Sequence, residues 1–72
     1  MKGKDNYLIE FGKNLRKLRE QRGLSQEYLA IDANIPTNQI GRIERGEIST
    51  TISTLLSISK ALQIDIKELF NF

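Results

Sequence analysis

Three helix-breaking residues, Gly23, Pro36 and Gly46, divide this 72-residue chain into short segments. Glycine suits the left-handed position that ends a helix, and proline, which lacks an amide proton, fits only a helix's first turn. Within the segments apolar residues recur at intervals of three and four, the spacing of an amphipathic helix. The sequence therefore predicts a bundle of short helices without strands.

Five helices are expected. The predicted ranges are 6–21, 26–33, 36 or 37 to 45, 52–62, and a short fifth helix that begins after residue 65. Residues with a side-chain oxygen stand at the predicted starts, where they can accept hydrogen bonds from free backbone amides: Asp5 or Asn6, Ser25, Thr51 and Asp65. Glu68 follows Asp65 by three residues, the spacing of a capping box.

A chain of this length makes one domain with a small core. We predict a tail at 1–5, a domain at 6–70 and a C-terminal tail at 71–72. The chain has no cysteine and no histidine, which excludes disulfides and leaves few metal ligands or general bases. We therefore expect no enzyme activity, no metal and no cofactor. The apolar runs are too short to span a membrane, so a soluble cytoplasmic protein is expected.

Positive charge is concentrated in the first third of the chain. Residues 1–22 carry seven Lys or Arg against three Asp or Glu, although the whole chain has a net charge of only +2. A basic segment is consistent with nucleic acid, with an anionic membrane surface, or with a solvated helix face. Charge alone does not choose among these partners.

The predicted third helix has an unusually polar outer face. On a helical wheel Ile40 and Ile43 point inward with Glu44 beside them, and the outer side holds Asn38, Gly41, Arg42 and Arg45. Asparagine can pair bidentately with adenine and arginine with guanine in the DNA major groove. A short turn between helices two and three makes them cross steeply and leaves one surface of the second exposed. The pattern favours a DNA-reading helix.

Residues 23–46, GLSQEYLAIDANIPTNQIGRIERG, resemble the helix-turn-helix of the phage-repressor and Cro family, the XRE-type regulators. The family's last two helices resemble TLLSISKALQIDIKELF, and the similarity covers residues 8–70. The resemblance implies an all-α, compact five-helix bundle of the phage repressor DNA-binding domain type. Helices two and three would form the motif, with a recognition helix at 37–45 in the major groove.

The resemblance also assigns candidate DNA-binding residues. Gln26 matches a phosphate-contacting position that supports the first base-reading residue. Thr37, Asn38 and Arg42 match base-reading positions, Gln39 matches a position near the DNA backbone, and Arg45 ends the recognition helix. Phosphate contacts are also implied for the loop after that helix, at Ser49, Thr50 and Thr51.

Glu44 needs a cationic partner if it lies on the inward face, because an unpaired buried carboxylate is costly. Arg19 shares the inner edge of helix one, and the family pairs the same two positions. We expect a structural ion pair between them.

A homodimer is expected, because one short recognition helix buries too little surface to discriminate DNA sites. We predict a symmetric contact made by Ile66, Phe70 and Phe72, helped by the loop at 48–51. Binding to an inverted repeat would follow from this symmetry.

The sequence favours a transcriptional regulator that binds double-stranded DNA. One alternative is an antitoxin of the same fold, which would also bind a toxin protein. Another is a protein-interaction module that has lost DNA binding. The polar residues on the outer face of the third helix favour DNA.

Overall fold

The computed structural model describes the backbone of residues 2–72 and the side chains from residue 6 onward. Four α-helices are followed by a 3₁₀ helix, and these residues form no strand. The helices are α1 (Lys2–Gln21), α2 (Gln26–Ala33), α3 (Thr37–Glu44), α4 (Ile52–Leu62) and the 3₁₀ helix (Ile66–Phe70). The all-α prediction is confirmed.

The first helix begins earlier than its predicted start at residue 6. Its backbone is already helical at Lys2, so Asp5 and Asn6 lie within the helix and do not begin it. Met1 and the side chains of residues 2–5 lie outside the described part of the chain. The division into a domain and two tails stays a prediction.

The fifth predicted element is a 3₁₀ helix and not an α-helix. Asp65 begins it, but its side chain accepts a hydrogen bond from the amide of Lys67, at 3.1 Å, and not from that of Glu68. The amide of Glu68 instead donates to the backbone carbonyl of Asp65, at 2.9 Å. Such i→i+3 bonds define the tighter helix, which proteins use in short pieces. The capping box predicted here is therefore absent.

All four α-helices and the 3₁₀ helix contribute to one core, whose fully buried members are mostly leucine and isoleucine: Leu15, Leu29, Ile40, Ile43, Ile58, Leu62 and Leu69. Ala30 and Ala33 lie on the buried side of α2, where small side chains let α4 approach closely. Gly12 has the same effect on α1, because a Cβ there would collide with the carbonyl oxygens of Ile43 and Glu44. The core thus holds the end of α3 tightly against α1.

The four α-helices end in the same way, with a single residue in the left-handed conformation: Gly23, Asn34, Gly46 and Gln63. In each case the amide of the next residue donates to a carbonyl five positions earlier, which is the Schellman arrangement. Those next residues are Leu24, Ile35, Glu47 and Ile64. An apolar residue is common at this position, so Glu47 stands out among the four.

Candidate nucleic-acid interface

The turn between α2 and α3 sets the angle at which α3 projects. Ser25 begins α2, and its hydroxyl accepts a hydrogen bond from the amide of Tyr28 at 3.0 Å. Asn34 reverses the chain with φ 60° and ψ 47°. Pro36 then precedes α3 in an extended conformation and provides no side-chain cap. Its restricted φ takes the place of the usual hydroxyl cap in starting the helix.

One face of α3 is open to solvent. Thr37, Asn38, Arg42 and Arg45 are all exposed on it. Gln39 is half-buried, and its side-chain amide donates to the Thr50 hydroxyl at 3.3 Å. This bond ties α3 to the following loop, where Ser49 is exposed. The structure therefore groups the predicted base-reading residues on one surface, with the loop beside them.

Gly41, which the helical wheel places on the outer side of α3, is covered by other side chains. It is buried, because the side chains of Arg45 and Gln26 fold over it. A Cβ at Gly41 would lie 3.0 Å from Nη1 of Arg45 and 3.4 Å from Oε1 of Gln26. The missing side chain thus makes room for the Arg45 guanidinium along the helix.

A buried ion pair supports α3 from behind. Nε of Arg19 lies 2.6 Å from Oε2 of Glu44, and Nη2 lies 3.1 Å from Oε1, so the contact is bidentate. Nη1 of Arg19 donates to the carbonyl of Leu24 at 2.7 Å. The hydrogen bond to Glu44 raises the pKa of Arg19 further above its ordinary value. The pair fastens the end of α3 to α1.

Gln26 belongs to the same network. Its side-chain amide nitrogen donates to Oε1 of Glu44 at 2.9 Å. The bond holds the half-buried Gln26 at the start of α2, next to α3. The side-chain NH₂ group has two N–H donors and this bond uses one of them, so Gln26 can keep the bond to Glu44 and still donate to a phosphate.

Glu47 is a further residue of this surface, and the sequence interpretation missed it. Its carboxylate accepts hydrogen bonds from Nε of Arg45 at 2.7 Å and from Nη2 at 3.4 Å. Nε of Arg42 lies 3.7 Å from the same carboxylate. The hydrogen bond from Arg45 lowers the pKa of Glu47 and raises that of Arg45. The sequence signal that could have identified Glu47 was Gly46. A glycine that ends a helix in the left-handed conformation turns the following residue, here Glu47, back onto the last turn of the helix.

Two of the three residues predicted to form the dimer contact, Phe70 and Phe72, pack on aromatic rings of α1. Phe72 packs on Tyr7 of its own chain, with ring centroids 5.1 Å apart, and Phe70 packs on Phe11 at 5.0 Å. Phe72 therefore packs against its own domain. Both phenylalanines nevertheless remain exposed, at 40% for Phe70 and 50% for Phe72. Ile66 is half-buried.

An open apolar cleft of about 220 Å³ lies next to these aromatic rings. Its walls come from α1, from the loop that follows α3, and from Ile52 and Phe70. Within residues 2–72, no helix is long and apolar enough to cross a membrane. The same described residues hold no cluster of acidic side chains that could bind a metal ion.

A family model described as helix-turn-helix matches residues 15–69 of this chain. The matched region contains α2, α3 and the open face of α3. The chain belongs to this family. It is the family of Cro and the phage repressors that the sequence resembled.

Several named members of the helix-turn-helix family are similar to this chain. Control protein C.BamHI of Bacillus amyloliquefaciens is 33% identical over 69 residues, which cover 94% of this chain and 85% of that protein. The transcriptional regulator PuuR of Escherichia coli is 35% identical over 60 residues, 83% of this chain but only 32% of its own length.

A solved structure of a similar protein has the same fold. It is the restriction-modification controller protein C.AhdI of Aeromonas hydrophila. The match covers 88% of this chain and 96% of that one, with a TM-score of 0.86 and 40% identity.

Proposed function

We propose that this chain is a sequence-specific regulator of transcription that binds double-stranded DNA through α3. The observation that carries the proposal is the open face of α3, where Thr37, Asn38, Arg42 and Arg45 lie exposed on a helix fastened from behind by the Arg19–Glu44 pair. A helix fits the major groove, and these side chains can read base edges there. The named relatives, which are control proteins and transcriptional regulators, support it.

Three of the four exposed side chains have a base-reading role in this proposal. Arg42 donates to guanine O6 and N7, Asn38 pairs with adenine, and the Thr37 methyl contacts a thymine methyl. Phosphates are contacted by Gln26 at the start of α2, by Gln39 of α3, and by Ser49 and Thr50 of the loop that follows α3. Contacts to phosphate set the position of α3 on the duplex, and contacts to bases give the sequence preference.

Selection of bound duplexes from a random DNA pool tests this function. We expect one sequence to be enriched. Affinity should fall steeply with salt, because each phosphate contact adds about −0.9 to the slope of log binding constant against log salt concentration. Arg42→Ala should weaken binding by roughly 1–3 kcal/mol and relax the preference at one base pair. Gln26→Ala should weaken binding to all sequences more evenly. A pool without enrichment would favour a protein-interaction module and contradict the proposal.

We further propose that two copies bind an inverted repeat as a homodimer. The surface that supports this proposal joins the exposed rings of Phe70 and Phe72 to the apolar cleft beside them. Burial of a phenylalanine side chain contributes about 1.5–3 kcal/mol, so a symmetric contact over these rings would be favourable.

Deletion of Asn71 and Phe72 tests the dimer by sedimentation and DNA titration. We expect an intact fold, weaker self-association and loss of cooperative binding to the two half-sites. Ile31→Ser is the matched control, because Ile31 is 67% exposed on α2, away from this surface. Unchanged self-association in the deletion variant would contradict the proposed contact.

We propose a narrower function as well, which is that the chain regulates transcription of the genes of a restriction–modification system. The support is the similarity to control proteins, which for C.BamHI extends over 94% of this chain, and to the controller protein C.AhdI. The test is to locate the selected sequence in the source genome. It should lie upstream of restriction or modification genes, and a position elsewhere would contradict this target.

A further inference from the structure

The turn at Gly46, where α3 ends, places the acidic side chain of Glu47 against the open face of α3. Gly46 adopts φ +73°, and the amide of Glu47 donates to the carbonyl of Arg42 at 2.9 Å. The chain therefore folds back over the last turn of α3. The other three helices have leucine or isoleucine at this position, half-buried in each case. Here the side chain is a carboxylate, and it lies beside two arginines.

Close packing on α1 holds the turn at Gly46 in place. A Cβ on Gly46 would lie 2.8 Å from Cα of Ile9 and 2.9 Å from its backbone nitrogen, so the turn packs directly on the α1 backbone. Left-handed geometry and this close packing both restrict the turn to glycine. The backbone position of Glu47 is therefore determined by the core and not by the ion pairs that its side chain makes.

Glu47 contacts both arginines from the Nε side. On Arg45 it occupies Nε and Nη2 in the side-on geometry, and on Arg42 it approaches Nε. A guanidinium has five N–H donors, and its end-on edge, formed by Nη1 and Nη2, is a separate bidentate face. Those end-on edges stay available for guanine O6 and N7. Gly41 provides the space in which the Arg45 guanidinium lies.

We propose that Glu47 is a positioning residue that sets the ratio of specific to non-specific DNA binding, by holding Arg42 and Arg45 from their Nε sides. The inference rests on the proposed function of α3. The carboxylate lowers the net charge of the cluster formed by Arg42, Arg45 and Glu47 from +2 to +1, which weakens the attraction of the cluster to any phosphate backbone. It also keeps each guanidinium oriented for a base edge, which benefits only the correct sequence.

Glu47→Gln tests the proposal, because it removes the charge and keeps the shape. Glu20→Gln is the matched control. Glu20 pairs with Nε of Arg16 at 3.0 Å and is similarly exposed, but it lies on α1. Each variant and the parent protein are titrated at several salt concentrations with two duplexes: the sequence enriched from the random pool, and a scrambled sequence of the same composition.

We expect Glu47→Gln to bind the scrambled duplex about three- to tenfold more tightly at low salt, as follows from removing one charge a few ångströms from two cations. Binding to the enriched duplex should not improve, so the specificity ratio falls by a similar factor. A repeated selection should show relaxed preference at the guanine positions. The thermal midpoint should stay unchanged, because the contacts are exposed.

Two results would overturn the proposal. One is an unaltered ratio in Glu47→Gln, and the other is an equal fall in Glu20→Gln, which would show that net charge alone matters. A failure of the proposed function is distinguishable from both, since the parent protein would then bind the two duplexes equally.

Discussion

Removal of Arg19 tests the support of α3 by the buried ion pair. The Arg19 side chain is 9% exposed and that of Glu44 only 3%. Arg19→Met would leave Glu44 buried with Gln26 as its remaining partner and would also remove the donor to the carbonyl of Leu24. Removal of one partner from a buried ion pair costs about 3–5 kcal/mol, because the other charge stays buried without its counter-ion.

That loss is large for this chain. A domain of this length has a stability of roughly 4–10 kcal/mol, from about 0.05–0.15 kcal/mol per residue. At about 4–8 °C of thermal midpoint per kcal/mol for a small domain, Arg19→Met should lower the midpoint by at least about 12 °C. Thermal unfolding followed by circular dichroism measures this shift.

The double variant Arg19→Met with Glu44→Leu provides the control. It removes both charges and replaces them with apolar side chains, so we expect a much smaller loss than for Arg19→Met alone. The coupling energy from the full double-mutant cycle then reports the interaction. An unchanged midpoint in Arg19→Met would refute the reasoning, since Glu44 would have to be solvated.

The remaining predictions concern the turn after α3. Gly46→Ala should destabilise the fold more than Gly23→Ala in thermal unfolding. Both residues have positive φ, which costs about 1–2 kcal/mol for alanine, but only Gly46 would also clash, with the backbone of Ile9; equal losses would contradict the packing. The Glu47 carboxyl should titrate by NMR below its ordinary value of 4.5, and Arg45→Ala should return it toward that value. Because the pKa of Glu47 is depressed in the folded state, the Glu47–Arg45 pair is intact above the ordinary pKa of a glutamate. The pair is lost as the pH falls through the lower pKa that Glu47 has in the folded protein.

Much of the fold follows from local sequence. Apolar spacing and helix-ending residues such as Gly23 and Gly46 predicted the order of the elements and three of the four α-helices to within a residue or two at either end. Such signals act over a few residues and do not depend on the rest of the chain. The start of α1 was predicted too late because Asp5 and Asn6 suit the first position of a helix, whereas the helix continues through them to Lys2. The short last element was predicted as the wrong helix type.

The candidate surface was predicted only in part. Residues of the open face could be found on a helical wheel, because exposure on one side of a helix follows from its period. The wheel could not show that Gly41 is buried, because it treats each residue alone, whereas the side chains of Arg45 and Gln26 cover Gly41. A helical wheel also cannot predict hydrogen bonds between side chains that are distant in sequence, such as the bond from Gln26 to Glu44.

By itself the sequence determined which segments become helices, where they end and which side chains the core requires. Tertiary structure decided the contacts that shape the candidate site. The crossing of α1 over the end of α3 brings Gly46 onto Ile9 and fixes where Glu47 returns to the helix. The physical reason is that helix ends depend on interactions within one or two turns. The orientation of an arginine depends instead on which charges and backbone atoms the packed helices bring within a few ångströms.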